Sequence, residues 1–163
     1  MTSFEIVYAP NPIFKQKAQA VPQVDQTVKN TLHAMCQTMY QHQAIGLGAN
    51  MVGILQQLVV VDLQENGEKT PYLMANPQII AQSETTQTFM EASISFRKIK
   101  AKVTRPAHIK VQYLDLDNQT KILEASGWLA TVLQHEIDYL HGITFLDHLS
   151  KTKRKLLLEK LKR

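Results

Sequence analysis

Gln134-His135-Glu136-Ile137-Asp138-Tyr139-Leu140 is the stretch that decides the fold, because it places charged groups in an apolar helix. It lies late in a predicted helix over residues 127–141, in which apolar residues point to every side: Trp128, Leu129, Val132, Leu133, Ile137 and Leu140. A helix that is apolar all round is normally buried, and burying His135 and Glu136 without partners costs free energy. The stretch resembles half of His-Glu-x-x-His, in which histidines at i and i+4 hold a metal, but position i+4 here is Tyr139.

An amphipathic helix and a glycine-rich segment come earlier in the chain. Asp25 is a candidate N-cap for a helix that extends to about residue 43, and Cys36 lies on its apolar stripe. A cysteine in such a stripe is expected to serve in packing. Residues 44–53 are rich in glycine and lead into a β-branched strand at 57–61. Glycines there predict backbone that passes close to a ligand or another segment, and the alternative is a tight helix-to-strand turn.

Short β segments fill the middle of the chain. The expected strands cover residues 72–75, 78–81, 85–89, 102–104, 109–114 and 121–123. Asn76-Pro77 and Arg105-Pro106 are expected to separate some of them, and residues 5–24 to form an extended lead-in without regular structure. Ser150 is a candidate N-cap of a last, basic helix. The order of one helix, a run of strands and two helices predicts an α+β domain over residues 1–163.

Composition and charge restrict the class of protein. A chain of 163 residues with 44% apolar content can bury one sizeable core. A single cysteine excludes an intramolecular disulfide and fits a reducing compartment. With no signal peptide and no apolar run of about 20 residues, the chain is expected to be cytoplasmic. Residues 151–163 hold seven basic side chains and one acidic one, whereas the remainder has 11 basic and 13 acidic residues, so the basic character belongs to the tail.

Three stretches together resemble the motifs of the peptide deformylases, metal-dependent hydrolases that remove the formyl group from the N-terminal methionine of nascent chains. Residues 44–51 are similar to the family's Gly-x-Gly-x-Ala-Ala-x-Gln loop, and Glu91-Ala92-Ser93-Ile94-Ser95 resembles Glu-Gly-Cys-x-Ser. Residues 134–142 resemble Gln-His-Glu-x-Asp-His-x-x-Gly. The resemblance covers nearly the whole chain. It implies the peptide deformylase fold, with short antiparallel or mixed β-sheets around a buried helix carrying His135 and Glu136, and a C-terminal helix.

The resemblance also implies a role for each matched position, and several of these positions have changed. The family's cysteine and two histidines bind Fe²⁺ or Zn²⁺, and the matching residues are Ser93, His135 and Tyr139. The family's acid/base glutamate matches Glu136, and its oxyanion-binding glutamine matches Met51, which donates no hydrogen bond. Serine is a poor ligand for either metal. Tyrosine is longer than histidine, so its hydroxyl is expected to fill the metal's space and to donate a hydrogen bond toward His135, Glu136 or Ser93.

These departures predict a peptide deformylase-like protein without a bound metal and without metal-dependent deformylase activity. One alternative is an active deformylase with an unusual ligand set and one Fe²⁺ or Zn²⁺ at His135. Another is a metal-independent hydrolase, in which Ser93 is the nucleophile and His135 the base, the two hydrogen-bonded where the ion would have been.

The resemblance implies a cleft that binds N-terminal formyl-methionyl peptides. The expected lining consists of Ile45, Gly46, Leu47, Glu91, Ala92, Ile94, Trp128, Leu129, Val132 and His135. An alternative is that Met51 and Tyr139 fill this cleft. The resemblance also implies contact with the ribosome through the basic helix 151–163, and the alternative is a solvated helix whose leucines pack on the core. No DNA or membrane partner is expected, and the chain is expected to be a monomer.

Overall fold

The computed structural model describes residues 3–162 and contains three α-helices and seven strands within them. The helices are α1 (Gln26–Gln41), α2 (Gly127–Leu140) and α3 (Lys151–Glu159). The strands are β1 (Gly46–Gly48), β2 (Leu58–Val61), β3 (Tyr72–Gln82), β4 (Thr86–Ser93), β5 (Phe96–Pro106), β6 (His108–Leu114) and β7 (Thr120–Ser126). Short 3-10 helices cover Pro12–Lys15, Ala49–Val52, Glu65–Gly67, Phe145–His148 and Lys160–Lys162.

The strands form two antiparallel sheets. Five strands pair in the order β1-β2-β3-β6-β7, and β4 pairs with β5 in a separate hairpin. In this arrangement β1 is an edge strand, and β4 has a partner on one side only. Sequential strands joined by short connections, followed by helices, make an α+β protein, as the sequence predicts.

Helix α2 lies between two apolar cores, which explains why it is apolar on every side. Leu133, Ile137 and Leu140 pack into a core formed with the large sheet. Tyr139 packs into a second core, formed with α1 and the hairpin. Ten of the 14 residues of α2 are buried, His135 and Glu136 among them. The predicted bounds of this helix agree with the structure to within one residue.

Helices α1 and α3 also begin where their caps predict. The Asp25 side chain accepts a hydrogen bond from the Val28 backbone N–H at 2.9 Å, and Cys36 is buried on the packed face of α1. The Ser150 hydroxyl accepts one from the Lys153 N–H at 3.2 Å at the start of α3. Leu157, together with Leu161 beyond the helix, packs on the core, whereas the side chains of Leu156 and Leu158 are exposed.

The strands are longer than their sequence predicts. Strand β3 continues through Asn76-Pro77 by means of a bulge, with Asn76 at a φ of 50°. The Arg105-Pro106 pair does not form a turn but ends β5, where Pro106 pairs with Thr86. The lead-in also contains one 3-10 turn at Pro12–Lys15. These differences arise because pairing with strands that are distant in sequence outweighs the local turn signals of Asn76-Pro77 and Arg105-Pro106. Within the described residues, no helix has the length and apolar character needed to cross a membrane.

Candidate active site

The glycine-rich segment lies directly against the buried helix. A Cβ atom added to Gly46 would lie 2.9 Å from Glu136 Cγ, and one added to Gly48 would lie 3.5 Å from Tyr139 Cβ. Such distances leave no space for a side chain at Gly46. The prediction that backbone passes close to another segment is therefore confirmed, and that segment is α2.

Glu136 is a buried carboxyl group with an unpaired oxygen. Its residue is 5% exposed, and Oε1 has no hydrogen-bond partner among the described residues. Burial raises the pKa of Glu136 to about 7, and the charge of Glu91 adds to this effect, while His135 and Arg105 oppose it. Glu136 can therefore hold or release a proton near neutral pH, which is the property that an acid/base residue needs.

We expect Glu136 to make folding stability depend on pH. Its pKa is raised from 4.5 to about 7, so its stabilising contribution is complete below about pH 4.5 and is lost as the pH rises through 7. Glu136→Gln should remove a decline of about 3 kcal/mol in the unfolding free energy over this interval, since one pKa unit corresponds to about 1.4 kcal/mol. Urea denaturation at several pH values measures this difference. The exposed Glu124→Gln is the control, and identical pH profiles for wild type and Glu136→Gln would contradict the prediction.

His135 is oriented by a buried network of ionic hydrogen bonds. Its Nδ1 lies 2.8 Å from Glu91 Oε1, and the Arg105 guanidinium binds both oxygens of the Glu91 carboxylate at 2.7 and 2.9 Å. Arg105 Nη1 also donates to Asp138 Oδ2 at 2.8 Å, and His148 Nε2 lies 2.8 Å from the same oxygen. The network ties the hairpin to α2 and fixes the imidazole ring.

The pKa values of the two acids in this network are lowered. Burial alone would raise the pKa of Glu91, but hydrogen bonds from His135 and Arg105 outweigh it. Burial would likewise raise the pKa of Asp138, and hydrogen bonds from His148 and Arg105 reverse that effect. Both carboxylates are therefore ionised at neutral pH, and the charge of Arg105 compensates them in part.

This network corrects the expected role of Glu91 and adds residues that sequence reasoning missed. The Glu91 side chain is 2% exposed and fully engaged by Arg105 and His135, so it supports the histidine and does not line a peptide cleft. The proline that follows Arg105 predicts a turn there, whereas the structure places Arg105 within β5. The signal for its true position is that Arg105 follows Ala101 and Val103 on the buried face of β5 at a spacing of two.

Tyr139 and Ser93 bond to each other at the two changed ligand positions. The Tyr139 hydroxyl donates to Ser93 Oγ at 2.7 Å, which is one of the three acceptors that the sequence predicts. The Tyr139 residue is fully buried, and its ring contacts those of Phe14 and His135, with centroids 5.7 and 5.3 Å away. Burial, together with the charge of Glu136, raises the pKa of Tyr139 well above its ordinary value, so the phenol stays protonated.

These side chains do not fit the metal that the family motif implies. Ligation by tyrosine requires the phenolate, whereas the Tyr139 proton is held and donated to Ser93. Serine supplies neither the charge nor the soft donor of a thiolate. Across residues 3–162, no group of three His, Cys, Asp or Glu side chains could hold a metal ion. The absence of metal in the living protein stays a prediction.

Ser93 and His135 are not hydrogen-bonded to each other within the described part of the chain. Ser93 Oγ accepts from Tyr139 and from the Ser95 backbone N–H at 3.2 Å, and His135 Nδ1 faces Glu91. The expected serine–histidine hydrogen bond is therefore replaced by a serine–tyrosine one. A nucleophilic role for Ser93 remains an untested hypothesis.

Met51 changes the hydrogen bonding of the glycine-rich segment. Its Sδ accepts a hydrogen bond from the Gly48 backbone N–H at 3.4 Å, and the residue is 1% exposed. A glutamine at this position could donate to a ligand, whereas the thioether uses up a backbone donor. The position therefore offers no side-chain donor to a reacting oxygen.

The predicted cleft lining is partly accessible. Ala92 and Trp128 are exposed, and Ile45, Ile94 and Leu129 are half-buried, while Gly46, Leu47 and Val132 are buried beneath them. The Trp128 ring packs on Phe89 of β4, with centroids 5.2 Å apart. Strand β1 reaches α2 at Glu136 and β4 reaches it at His135, so these two strands, each with an unpaired edge, converge on neighbouring residues.

A separate cavity of about 720 Å³ lies between the lead-in segment, the loop after α2 and α3. Phe14 and Phe96 form part of its largely apolar wall. The centroids of their rings lie 5.7 and 6.4 Å from the centroid of the Tyr139 ring. None of the residues expected to line the peptide cleft lines this cavity. It is therefore distinct from the site around His135.

We expect the Tyr139–Ser93 hydrogen bond to contribute to stability. Tyr139→Phe and Ser93→Ala should each lower the unfolding free energy by about 1 kcal/mol, since each removes one partner of the bond. The double variant should lose less than the two single losses combined, because both remove the same interaction. Urea denaturation of the four proteins measures the coupling. Additive losses would show that the bond contributes nothing to stability.

A buried His-Glu pair on a central helix, between a glycine-rich edge strand and a hairpin, defines an α+β protein with its candidate site on α2. The model of the family Polypeptide deformylase matches residues 3–155. The chain belongs to this family.

Relatives and solved structures agree with this assignment. A peptide deformylase-like protein of Rickettsia conorii is 51% identical over 97% of this chain and 86% of its own length. A peptide deformylase of Agrobacterium fabrum is 38% identical over 98% of this chain and 95% of its own length. The crystal structure of peptide deformylase from Ehrlichia chaffeensis in complex with actinonin has a TM-score of 0.94 at 36% identity, covering 99% of this chain and 97% of that one. The peptide deformylase fold that the sequence predicts is confirmed.

Proposed function

We propose that this chain is a peptide deformylase-like protein that binds N-terminal peptides but has lost metal-dependent deformylation. The observation that carries this proposal is the 2.7 Å hydrogen bond from buried Tyr139 to Ser93. It joins two positions where the family has metal ligands, and it uses the proton that ligation would remove. Met51 also lacks the donor for a developing oxyanion, and losing one such donor typically lowers a rate by about 10² to 10³.

The peptide-binding half of the proposal rests on the unpaired edges of β1 and β4. An extended peptide can add to an exposed strand edge through main-chain hydrogen bonds, and side-chain pockets then give selectivity. Edges of β1 and β4 converge on Glu136 and His135, and apolar side chains such as Ile45, Ile94 and Trp128 lie beside them. The cytoplasm, where nascent chains emerge, is the location that this proposal implies, with the protein acting as a monomer.

Metal content and turnover test the loss of chemistry. Elemental mass spectrometry should find well below one iron or zinc ion per chain in protein purified without oxygen or chelators, even after incubation with either ion. Turnover of a formyl-methionyl peptide should be absent, with the Agrobacterium fabrum relative purified in parallel as the control. One full equivalent of metal with turnover would favour an active deformylase with unusual ligands. Labelling of Ser93 by a fluorophosphonate would favour the metal-independent hydrolase.

The ribosome is part of the proposal as a second partner, bound through the basic C-terminal helix. Lys151, Lys153 and Lys155 are exposed on α3, and contacts of lysines with phosphates would make the binding sensitive to salt. Replacing these three lysines with glutamine should abolish co-sedimentation with ribosomes at low salt. The same number of glutamines at Lys17, Lys98 and Lys100, all exposed elsewhere on the surface, provides the control. Binding that survives the changes in α3 would refute this contact.

A further inference from the structure

We propose that the cavity of about 720 Å³ beside α3, here called the α3 cavity, binds a medium-length aliphatic carboxylate. This site goes beyond the proposed function and does not depend on it, because the α3 cavity shares no lining residue with the expected peptide cleft. Cavities that hold small molecules typically measure about 300–1,000 Å³. The α3 cavity therefore has the volume of a small-molecule site.

The inner wall of the α3 cavity is apolar and preformed. Phe14, Phe96 and Leu146 line it and are buried, and the centroids of the two phenylalanine rings lie 5.4 Å apart. A Cβ atom added to Gly142 would lie 2.8 Å from the Lys15 carbonyl oxygen, so the loop after α2 packs directly on the lead-in segment. A ligand that enters a preformed wall orders few side chains, which lowers the free-energy cost of binding.

The α3 cavity opens to solvent along an apolar rim. Pro10 and Pro12 of the lead-in segment and Leu158 of α3 line the cavity and are exposed. Tyr8 and Ile143, each next in sequence to a lining residue, are also exposed. Covering apolar side chains that water now contacts is favourable, and a patch of them is typical of a binding site. The ligand therefore has an apolar body.

The charged residues of the lining favour an anionic head group on that body. Lys15 and Arg154 are basic, and Asp147 is acidic. Both carboxylate oxygens of Asp147 already have donors, since Oδ1 accepts from Arg154 Nη1 at 3.1 Å and Oδ2 from the Thr144 backbone N–H at 2.8 Å. A guanidinium carries five N–H groups, and Arg154 uses one of them toward a described residue. The remaining N–H groups can bind a second carboxylate.

An NMR titration of backbone amides at about pH 7.5 tests this site with octanoate, decanoate and octylammonium. We expect octanoate to shift the amides of Phe14, Gly142 and Leu146 in a saturable way. It should bind at least about tenfold more tightly than octylammonium, the scale of one charged hydrogen bond. Decanoate should bind about tenfold more tightly than octanoate, because it buries two more methylene groups.

Two pairs of substitutions on α3 test the apolar contact and the head-group contact separately. Leu158→Ala should weaken octanoate binding about fivefold, because it removes apolar surface from the wall. Leu156→Ala, at an exposed position of α3 outside the lining, should leave it unchanged. Arg154→Gln should remove most of the preference for octanoate over octylammonium, whereas Lys155→Gln should retain it.

Several results would overturn the proposed carboxylate site. One is amide shifts that cluster at Ile94 and Trp128, since they would place octanoate in the peptide cleft. Others are equal or tighter binding of octylammonium, and the absence of saturable shifts with both carboxylates. Shifts of Gly142 and Leu146 on dilution without ligand would show that a second copy of the chain covers the cavity. If a variant does not fold, the position of the shifts and the ligand preference of the wild-type protein still decide.

Discussion

Replacing Ser93 with cysteine and Tyr139 with histidine in the same chain should raise bound zinc from well below one ion to about one ion per chain. Three protein ligands, one thiolate and two imidazoles, make a strong tetrahedral zinc site, whose fourth position is left for water. The third ligand, His135, is already oriented, because Glu91 holds its Nδ1 and leaves Nε2 for the metal. Such support of a ligating histidine typically changes metal affinity by about 10- to 100-fold.

Elemental mass spectrometry after incubation with zinc and desalting measures the gain. The single variants Ser93→Cys and Tyr139→His should each hold much less zinc than the pair, because each completes only two of the three ligands. Ser95→Cys combined with Tyr139→His is the matched control, since it adds a buried thiol two residues from the ligand position. A double variant that folds but holds no more zinc than wild type would show that changes beyond these two positions have abolished the site.

The helices of this fold can be predicted from the sequence because their signals are local. Asp25 and Ser150 cap helices that begin at the next residue, and the all-round apolar pattern of α2 is explained by a core on each side. The strands are less predictable. Asn76 suggests a break, yet its side chain bonds to both backbone groups of Val21, 55 residues away, and β3 continues through a bulge. No local pattern encodes such a contact.

The candidate site shows the same division. Motif positions identify Ser93, His135 and Tyr139, and the length of tyrosine is enough to anticipate a hydrogen bond to one of three acceptors, His135, Glu136 or Ser93, of which the structure has Ser93. The network that supports His135 could not be predicted in this way, because its partner Glu91 and the Arg105 that binds Glu91 are 44 and 30 residues from it in sequence. Their meeting depends on the register of the β4–β5 hairpin and on how that hairpin packs on α2. An arginine on the apolar face of a strand is the one local sign of a buried acidic partner.

We also expect the network that supports His135 to contribute strongly to the unfolding free energy of the protein. Arg105→Met is expected to lower the unfolding free energy by about 3–5 kcal/mol. The substitution leaves buried Glu91 without its bidentate partner, and it leaves Asp138 with His148 as its remaining partner. Methionine retains much of the volume of the arginine stem, so the loss reflects charge and hydrogen bonding more than packing. Urea denaturation at pH 7 measures it.

The control and a second substitution separate the ion pair from other effects. Lys102→Met, at an exposed position of the same strand, should change the unfolding free energy by less than about 0.5 kcal/mol. Glu91→Gln added to Arg105→Met should recover part of the loss, because an uncharged amide costs less to bury than an unpaired carboxylate. A loss below about 1 kcal/mol in Arg105→Met would mean that water or a shifted side chain compensates Glu91. In that case Arg105 would not be required to hold Glu91 against His135, and the orientation of the imidazole for zinc would depend on the Glu91 hydrogen bond alone.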